Sequence, residues 1–267
     1  MTIITRITVH PKKEDWFYIY VDRGHGEEFG FTIDSDLLIR YHLQKGMTVD
    51  DKMLQTVIAE KEKKRAFQSA LSYLSYRMRS EYEIIQYLKR KEFDEESIHS
   101  SLKTLKEYHY VDDQQFSKSF VSSKFNAQLK GPIVIAKELK EKGISSSVIS
   151  SSLSSLSFEE QVNRLVEFIE KKQKKTSKKS LKEVKQKLYQ QLYRKGFESI
   201  VIEEAFENAK WEYSEESELE ALRYHGEKAL YKYRQYSGYD KKMRVKRYLI
   251  RKGFSFEQID FFLQNFE

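Results

Sequence analysis

The chain of 267 residues contains no cysteine, only two prolines and only ten glycines. Without cysteine, a disulfide framework and a thiolate metal site are both excluded. No apolar run approaches the length of a membrane span, and the opening Met-Thr-Ile-Ile-Thr-Arg lacks the core of a signal peptide. We therefore expect a cytoplasmic protein that does not contact the membrane.

The sequence also lacks the short motifs that carry common chemistries. There is no Walker loop, no Gly-x-Ser-x-Gly and no paired-histidine zinc motif. Gly24 and Gly26 mark a hairpin turn, and no helix opens there to complete a dinucleotide site. The acidic residues lie among lysines and arginines on solvated helix faces. We predict a protein without catalytic residues, metal or cofactor, and a metal nuclease is the weakest alternative that we keep.

What is abundant is charge and helix-forming residues: 33% of the chain is charged and 39% is hydrophobic. A six-residue block returns four times, at residues 88–93 (LKRKEF), 139–144 (LKEKGI), 192–197 (LYRKGF) and 249–254 (LIRKGF). The blocks begin 51, 53 and 57 residues apart, which leaves room for three ordinary helices and short turns. After each block an isoleucine and then a large apolar residue recur in one register: Ile98 and Leu102, Ile149 and Leu153, Ile202 and Phe206, Ile259 and Leu263.

Each block is typical of a joint between two helices. Its leucine closes the buried stripe of one helix, its lysine sits in the last turn, and the next residue adopts the left-handed conformation that ends the helix. That next residue is Gly143, Gly196 or Gly253 in three blocks and Glu92 in the first. Because a left-handed glutamate is strained, we expect the first joint to be looser or to end its helix differently.

Residues 1–50 have a different pattern. Apolar and polar residues alternate at 3–9, 16–21 and 28–33, which predicts a small antiparallel sheet with its hairpin turn at Gly24-His-Gly26. Asp34 is expected to cap a short helix that continues to Leu43 and ends at Gly46.

The fold class predicted from these patterns is mainly α, with tandem three-helix repeats in an elongated array after a small N-terminal antiparallel β region. The predicted domains are 1–50, 51–109, 110–157, 158–212 and 213–267. Ser80 and Glu83 have capping-box spacing, and Pro132 suits the first turn of a helix. The third helix of the second repeat lies in a segment with nine serines among the thirteen residues 145–157, and its helical spacing is kept by Val148, Ile149, Leu153 and Leu156.

The final helix is unusually apolar for the end of a repeat array. We expect its buried side to turn inward on the fourth repeat, and we expect Phe261 and Phe266 to be the more exposed pair. The side chains assigned to its apolar face are Phe256, Ile259, Phe262, Leu263 and Phe266.

Charge is segregated along the second half of the chain. Residues 171–179 hold six lysines, residues 198–220 hold nine acidic groups against Lys210, and residues 223–252 hold eleven basic groups against Glu227 and Asp240. The lysine run is typical of a solvated connection, and the block sizes exceed what solubility requires. Tyr224, Tyr231, Tyr233, Tyr236, Tyr239 and Tyr248 are interpreted mainly as helix packing, with base stacking as the alternative.

The block lysines recur in one register and allow two interpretations, both left open here. Each lysine complements the negative end of its helix, or together they form a basic stripe that contacts nucleic acid or a nucleoprotein filament. The candidate binding residues are Arg77, Arg79, Lys89, Arg90, Lys91, Lys130, Lys137, Lys140, Lys142, Arg194, Lys195, Arg247, Arg251 and Lys252.

Several stretches in order resemble the RecX family of bacterial regulatory proteins, in the long form of Gram-positive bacteria. They are residues 74–84 (LSYRMRSEYEI), 88–93, 110–116 (YVDDQQF), 130–132 (KGP) and 138–144 (ELKEKGI). Glu92 departs from the glycine that the family pattern has there. The resemblance implies a non-enzymatic modulator that associates with RecA and the RecA–DNA filament, and we expect the protein to be a monomer. Such a protein limits filament growth, strand exchange and co-protease activity in recombination, DNA repair and the SOS response.

Two further function classes remain open beside the nuclease. The first alternative is a free-standing single-stranded DNA- or RNA-binding helical-repeat protein, and direct contact with single- or double-stranded DNA is compatible with either function. The second is a helical scaffold for protein partners only.

Overall fold

The N-terminal region is a four-stranded antiparallel sheet with one short helix. We analysed a computed structural model, which describes residues 2–173, 178–212 and 214–265. The strands are β1 (Thr2–His10), β2 (Lys13–Asp22), β3 (Glu27–Asp34) and β4 (Thr48–Val49), in the order β3-β2-β1-β4. Alternate residues of β1 to β3 point to one side and form a buried cluster with the following helices, which confirms the predicted sheet.

The turns of this region follow from its polar residues. The Asp22 carboxylate accepts hydrogen bonds from the backbone N–H groups of Gly24 at 2.7 Å and Gly26 at 3.0 Å, so the hairpin turn is confirmed. Asp34 caps α1 (Ser35–Arg40) by accepting from the Leu37 N–H at 3.1 Å.

The predicted end of α1 at Leu43 is wrong. His42 takes a left-handed φ of 51°, and the Leu43 N–H turns back to the Leu38 carbonyl at 3.0 Å. The helix therefore stops at Arg40, and Gly46 belongs to the return toward the sheet, where its N–H donates to Ile4 at 2.7 Å.

Twelve further helices follow among the described residues. They fall in four successive groups of three: α2 (Asp51–Leu74), α3 (Glu81–Arg90) and α4 (Glu95–Glu107); α5 (Asp113–Gln128), α6 (Pro132–Glu141) and α7 (Ser146–Leu153); α8 (Phe158–Gln173), α9 (Leu181–Arg194) and α10 (Ser199–Asn208); α11 (Glu215–Lys232), α12 (Gly238–Lys252) and α13 (Phe256–Asn265). The predicted mainly helical class is confirmed. By contact density the chain divides into two compact units, Met1–Phe116 with Lys142–Ile144, and Ser117–Glu141 with Ser145–Glu267.

The block leucines occupy equivalent buried positions near the ends of α3, α6, α9 and α12. Leu88, Leu139, Leu192 and Leu249 all have 0% of their surface exposed. The isoleucines after the blocks are buried as well, with Ile98, Ile149, Ile202 and Ile259 at 8% or less. The recurrence in the sequence therefore marks one packing position repeated four times. Of the apolar residues that follow, Leu102 and Leu263 are buried, whereas Leu153 and Phe206 are half-buried.

The expectation of a looser first joint is wrong. Glu92 has a left-handed φ of 63°, and the three glycines at the same position have values of 77°, 90° and 96°. The Phe93 N–H donates to the Leu88 carbonyl at 3.3 Å, as Phe254 does to Leu249 at 3.3 Å. The turn forms with glutamate because the side chain at position 92 points into solvent.

Local predictions for the repeats hold with two corrections, one at Leu156 and one at Phe256. The capping box of Ser80 and Glu83 is present, and α6 begins at Pro132. The serine-rich helix α7 forms, but it ends at Leu153, so Leu156 lies in the turn beyond it. In α13, Ile259, Phe262 and Leu263 are buried and Phe261 is exposed, as predicted.

Phe256 departs from the predicted face of α13. It is the first residue of the helix and is 62% exposed, with Lys246 Nζ 5.5 Å from the centre of its ring. Phe266 and residues 174–177 of the lysine run lie outside the described residues.

Candidate nucleic-acid and filament interface

The block lysines mark a contact between one three-helix group and the helix start of the group before it. The Lys142 carbonyl accepts a hydrogen bond from the Ser80 hydroxyl at the start of α3, at 2.7 Å. The Lys195 carbonyl accepts from the Gly131 N–H, next to the start of α6, at 2.7 Å. The Lys252 carbonyl accepts from the Ser180 hydroxyl at the start of α9. We call these three contacts the docking joints.

The lysine side chains take part in the same docking joints. Lys142 Nζ lies 2.8 Å from the Glu83 carboxylate, Lys252 Nζ lies 3.7 Å from that of Glu183, and Lys195 Nζ donates to the Gln128 carbonyl at 2.8 Å. All three lysines are half-buried. Lys91 is exposed and makes no such contact with any described residue, and its Nζ lies 5.9 Å from the centre of the Tyr87 ring. All four lysines therefore occupy the same position in the repeated block, but only Lys142, Lys195 and Lys252 lie in a docking joint.

Electrostatics at the docking joints favours the charged carboxylates. Burial alone would raise the pKa of Glu83, but hydrogen bonds from Arg77 and Lys142 outweigh it and lower the pKa to about 2. Burial likewise opposes ionisation of Glu183, and its pKa is lowered by a hydrogen bond from Lys187 and by the charge of Lys252. These lysines neutralise carboxylates inside the fold, which limits the charge that they offer to a phosphate.

The glycine of each docking joint is required by a close approach. A Cβ atom on Gly143 would lie 2.4 Å from Tyr82 Cβ, and one on Gly196 would lie 2.6 Å from the Val134 backbone nitrogen. One on Gly253 would lie 2.8 Å from Lys182 Cβ. Among the described residues no three-helix group comes before the one that contains the first block, and Glu92 is exposed. This geometry accounts for the one departure from the block pattern.

Four other predicted binding residues are engaged within the fold. Arg77 binds Glu83 at 2.9 Å, and Lys89 binds Glu95 at 2.7 Å. Lys130 is paired with Glu138, and the Arg79 guanidinium lies 4.2 Å from the centre of the Tyr73 ring.

The remaining predicted cations are exposed on α3, α6, α9 and α12. No acidic partner within the described part of the chain contacts them, and they are Arg90, Lys137, Lys140, Arg194, Arg247 and Arg251. The structure thus separates the fourteen candidates into those held by the fold and those free to meet an anion. Binding of nucleic acid by any of them stays a prediction.

Two of the free cations line a surface groove of about 470 Å³ beside α11 and α12. Its lining residues are Tyr233, Arg244, Arg247, Ile250 and Arg251, and we call it the arginine groove. The Arg244 side chain binds both carboxylate oxygens of Asp240, at 3.1 and 3.2 Å, and its guanidinium lies 3.9 Å from the centre of the Tyr236 ring.

The interpretation of the C-terminal tyrosines as mainly packing is only half right. Tyr233 and Tyr248 pack on the buried cluster of the last three helices, and Tyr236 is half-buried. Tyr224, Tyr231 and Tyr239 are 40%, 70% and 79% exposed, because they project from the solvent side of α11 and the start of α12.

Sequence reasoning missed two features of these sites. Ser180 and Glu183 repeat the Ser-x-x-Glu spacing of Ser80 and Glu83, so this recurrence could have indicated the docking joints. Arg244 was not singled out, although it lies three residues before Arg247 and seven before Arg251, on one helix face.

Two classes of site are not found in the described part of the chain. No group of histidine, aspartate and glutamate side chains there could hold a metal ion. Within the same residues, no helix is both long and apolar enough to cross a bilayer.

Family models cover most of the chain. The N-terminal domain of regulatory protein RecX matches residues 2–50, the first three-helix domain of RecX matches 66–105, and the second matches 112–153. The third three-helix domain matches twice, at 159–206 and at 215–263. The last two helix groups are therefore alike in sequence.

Individual relatives agree along the full length. The chain is 40% identical to the regulatory protein RecX of Bacillus velezensis over 267 residues, which is 100% of each chain. It is 39% identical to that of Bacillus mycoides over 264 residues, 99% of this chain and 98% of the relative. A crystal structure of regulatory protein RecX superposes with a TM-score of 0.63 at 29% identity, covering 78% of this chain and 100% of that one. RecX from Lactobacillus salivarius gives 0.52 at 27% identity, covering 55% and 96%. The resemblance drawn from the sequence is confirmed, and the chain belongs to the RecX family of regulatory proteins.

Proposed function

We propose that this protein binds RecA and the RecA–DNA filament and limits filament growth, strand exchange and co-protease activity. The observation that carries the proposal is membership of a regulatory family along the whole chain. We further propose that it acts in the cytoplasm as a monomer, by binding and without a catalytic step.

The exposed cations support contact with a nucleoprotein filament. Arg90, Lys137, Lys140 and Arg194 lie on the second helices of the first three groups, and Arg247 and Arg251 lie on that of the fourth. Cations without acidic partners gain most from a polyanion, because phosphate binding releases counterions and costs no internal ion pair. We therefore assign the phosphate contacts to these six residues, with Lys91 as a seventh, and assign Lys142, Lys195 and Lys252 to the docking joints.

A free-standing nucleic-acid-binding protein is the second candidate, and the arginine groove is the observation that favours it. The two functions differ in how RecA changes the affinity for DNA. In fluorescence anisotropy with labelled protein, binding to single-stranded DNA coated with RecA and a non-hydrolysable ATP analogue is compared with binding to the bare strand. The RecA function predicts filament affinity about tenfold tighter or more. Equal or weaker binding to the coated strand would favour the second candidate.

A further inference from the structure

The arginine groove combines an ordered row of guanidinium groups with an apolar floor. Arg244, Arg247 and Arg251 lie three and four residues apart on α12, so they share one face. Helix geometry separates them by rises of about 4.5 and 6 Å along the axis. Tyr233 and Ile250 complete the lining, and Ile250 is 38% exposed although it is apolar.

The charge of the groove is poorly compensated. Asp240 binds Arg244, but no acidic side chain among the described residues contacts Arg247 or Arg251. The whole segment 223–252 holds eleven basic residues and two acidic ones, Glu227 and Asp240. An anion with several charges in a row matches this surface, because each guanidinium can bind a phosphate oxygen pair through its planar donors.

One guanidinium of the groove is held in place before any ligand arrives. Arg244 is fixed between the Asp240 carboxylate and the Tyr236 ring. Stacking on an aromatic ring leaves the edge donors of a guanidinium available and lowers the entropy lost on binding.

The two apolar lining side chains, Tyr233 and Ile250, which form the floor of the groove, distinguish single-stranded from double-stranded nucleic acid. In a duplex the flat faces of the bases are stacked inside, so a duplex could use the arginines but not Tyr233 and Ile250. A single strand exposes flat, apolar base faces beside its phosphates. We propose that the arginine groove binds single-stranded DNA, with backbone phosphates on Arg244, Arg247 and Arg251 and a base against Tyr233 and Ile250. The inference deepens the proposed function, on which its biological role rests.

The test is a charge reversal with a matched control in the full-length protein. The variant is Arg247→Glu with Arg251→Glu. The control is Lys103→Glu with Lys118→Glu, two exposed lysines on α4 and α5 that give the same change in net charge. Fluorescein-labelled oligo-dT is the probe, its anisotropy is measured from 50 to 200 mM salt, and a far-UV thermal melt checks that both variants fold.

The groove variant should bind oligo-dT about tenfold more weakly or worse, whereas the control should stay within about twofold. Its logarithmic salt slope should fall by about 0.7 for each lost contact on a single strand. Ile250→Ala should weaken oligo-dT binding about threefold and leave binding of a hairpin duplex of equal charge unchanged. Arg247→Lys with Arg251→Lys should recover only part of the affinity, since the charge is kept but the paired planar donors of the guanidinium are lost.

Several results would overturn the inference. If the groove variant and the lysine control lose the same affinity for oligo-dT, net charge alone explains the binding and the groove is not a specific site. If Ile250→Ala weakens binding of oligo-dT and of the duplex equally, no base packs against Tyr233 and Ile250. Competition by poly-glutamate as strong as that by oligo-dT of equal charge would reassign the groove to an acidic polypeptide.

Binding to the RecA filament and binding to oligo-dT test the RecA proposal and the groove proposal separately. If the wild-type protein does not bind the RecA filament but the groove variant still binds oligo-dT more weakly than the wild type, the groove proposal is supported and the RecA proposal fails. If the wild-type protein binds the filament and the groove variant keeps its affinity for oligo-dT, the groove proposal fails alone.

Discussion

Replacing Gly196 with alanine should destabilise the second compact unit far more than an ordinary glycine substitution does. Gly196 has a φ of 90°, and an added Cβ would lie 2.6 Å from the Val134 nitrogen and 2.7 Å from Val134 Cγ2. The left-handed conformation costs a side chain about 1–2 kcal/mol. Relief of the overlap costs about 1–3 kcal/mol more, as in other overpacked sites.

Moving the two helices apart also weakens two hydrogen bonds. Gly131 donates to the Lys195 carbonyl at 2.7 Å, and Ile133 donates to the Gly196 carbonyl at 3.2 Å. Each is worth about 0.5–1.5 kcal/mol. The expected total is about 3–6 kcal/mol, a large part of the 5–15 kcal/mol that stabilises a typical domain.

Gly46→Ala is the matched control, because Gly46 has a φ of 84° and a Cβ there would meet nothing within 4 Å. It carries the backbone strain alone and should cost about 1–2 kcal/mol. Urea unfolding followed by far-UV circular dichroism measures both variants, with the m-value checking that the transition is unchanged. If Gly196→Ala and Gly46→Ala cost the same, the close approach at the docking joint is refuted.

Three further predictions follow from the same geometry. The pKa of Glu83 falls from 4.5 to about 2 in the fold, so its contribution to stability is complete above about pH 4.5 and is lost as the pH falls toward 2. In Glu83→Gln, the free energy of unfolding should therefore depend less on pH between 4.5 and 2 than in the wild type. Lys142→Glu should destabilise by about 2 kcal/mol or more by placing a negative charge against Glu83, whereas Lys91→Glu should stay within about 0.5 kcal/mol, and equal losses in thermal melts would contradict the distinction between them. Phe262→Ala should cost about 3–5 kcal/mol because its ring is 1% exposed, and Phe261→Ala, at 56% exposure, should leave urea unfolding unchanged within about 0.5 kcal/mol while weakening filament binding if the ring contacts RecA.

The repeats could be predicted because local packing repeats with the sequence. Leu88 and its three counterparts recur in register because each closes the same buried stripe of its helix. Periodicity in the sequence is enough to identify such a buried position. The capping box at Ser80 and the start of α6 at Pro132 are likewise determined within one turn of helix.

The partners of the block lysines could not be predicted in this way. Whether Lys142 faces solvent or Glu83 depends on contacts between residues 59 apart in the chain, which no local pattern contains. Glu92 shows the same limit. Its strain was foreseen from the left-handed position, but the turn keeps its shape because no earlier helix group in the described part of the chain packs there, and that depends on the place of the group in the chain.

The rate of ATP hydrolysis by RecA on single-stranded DNA, measured with and without this protein, tests the proposed function most directly. If the protein limits filament growth, the steady-state rate should fall as the concentration of this protein rises, because less RecA remains bound to DNA. The fall should persist at a salt concentration where bare-DNA binding by this protein is lost, since filament contact also involves RecA. A rate that is unchanged at saturating protein would contradict the account.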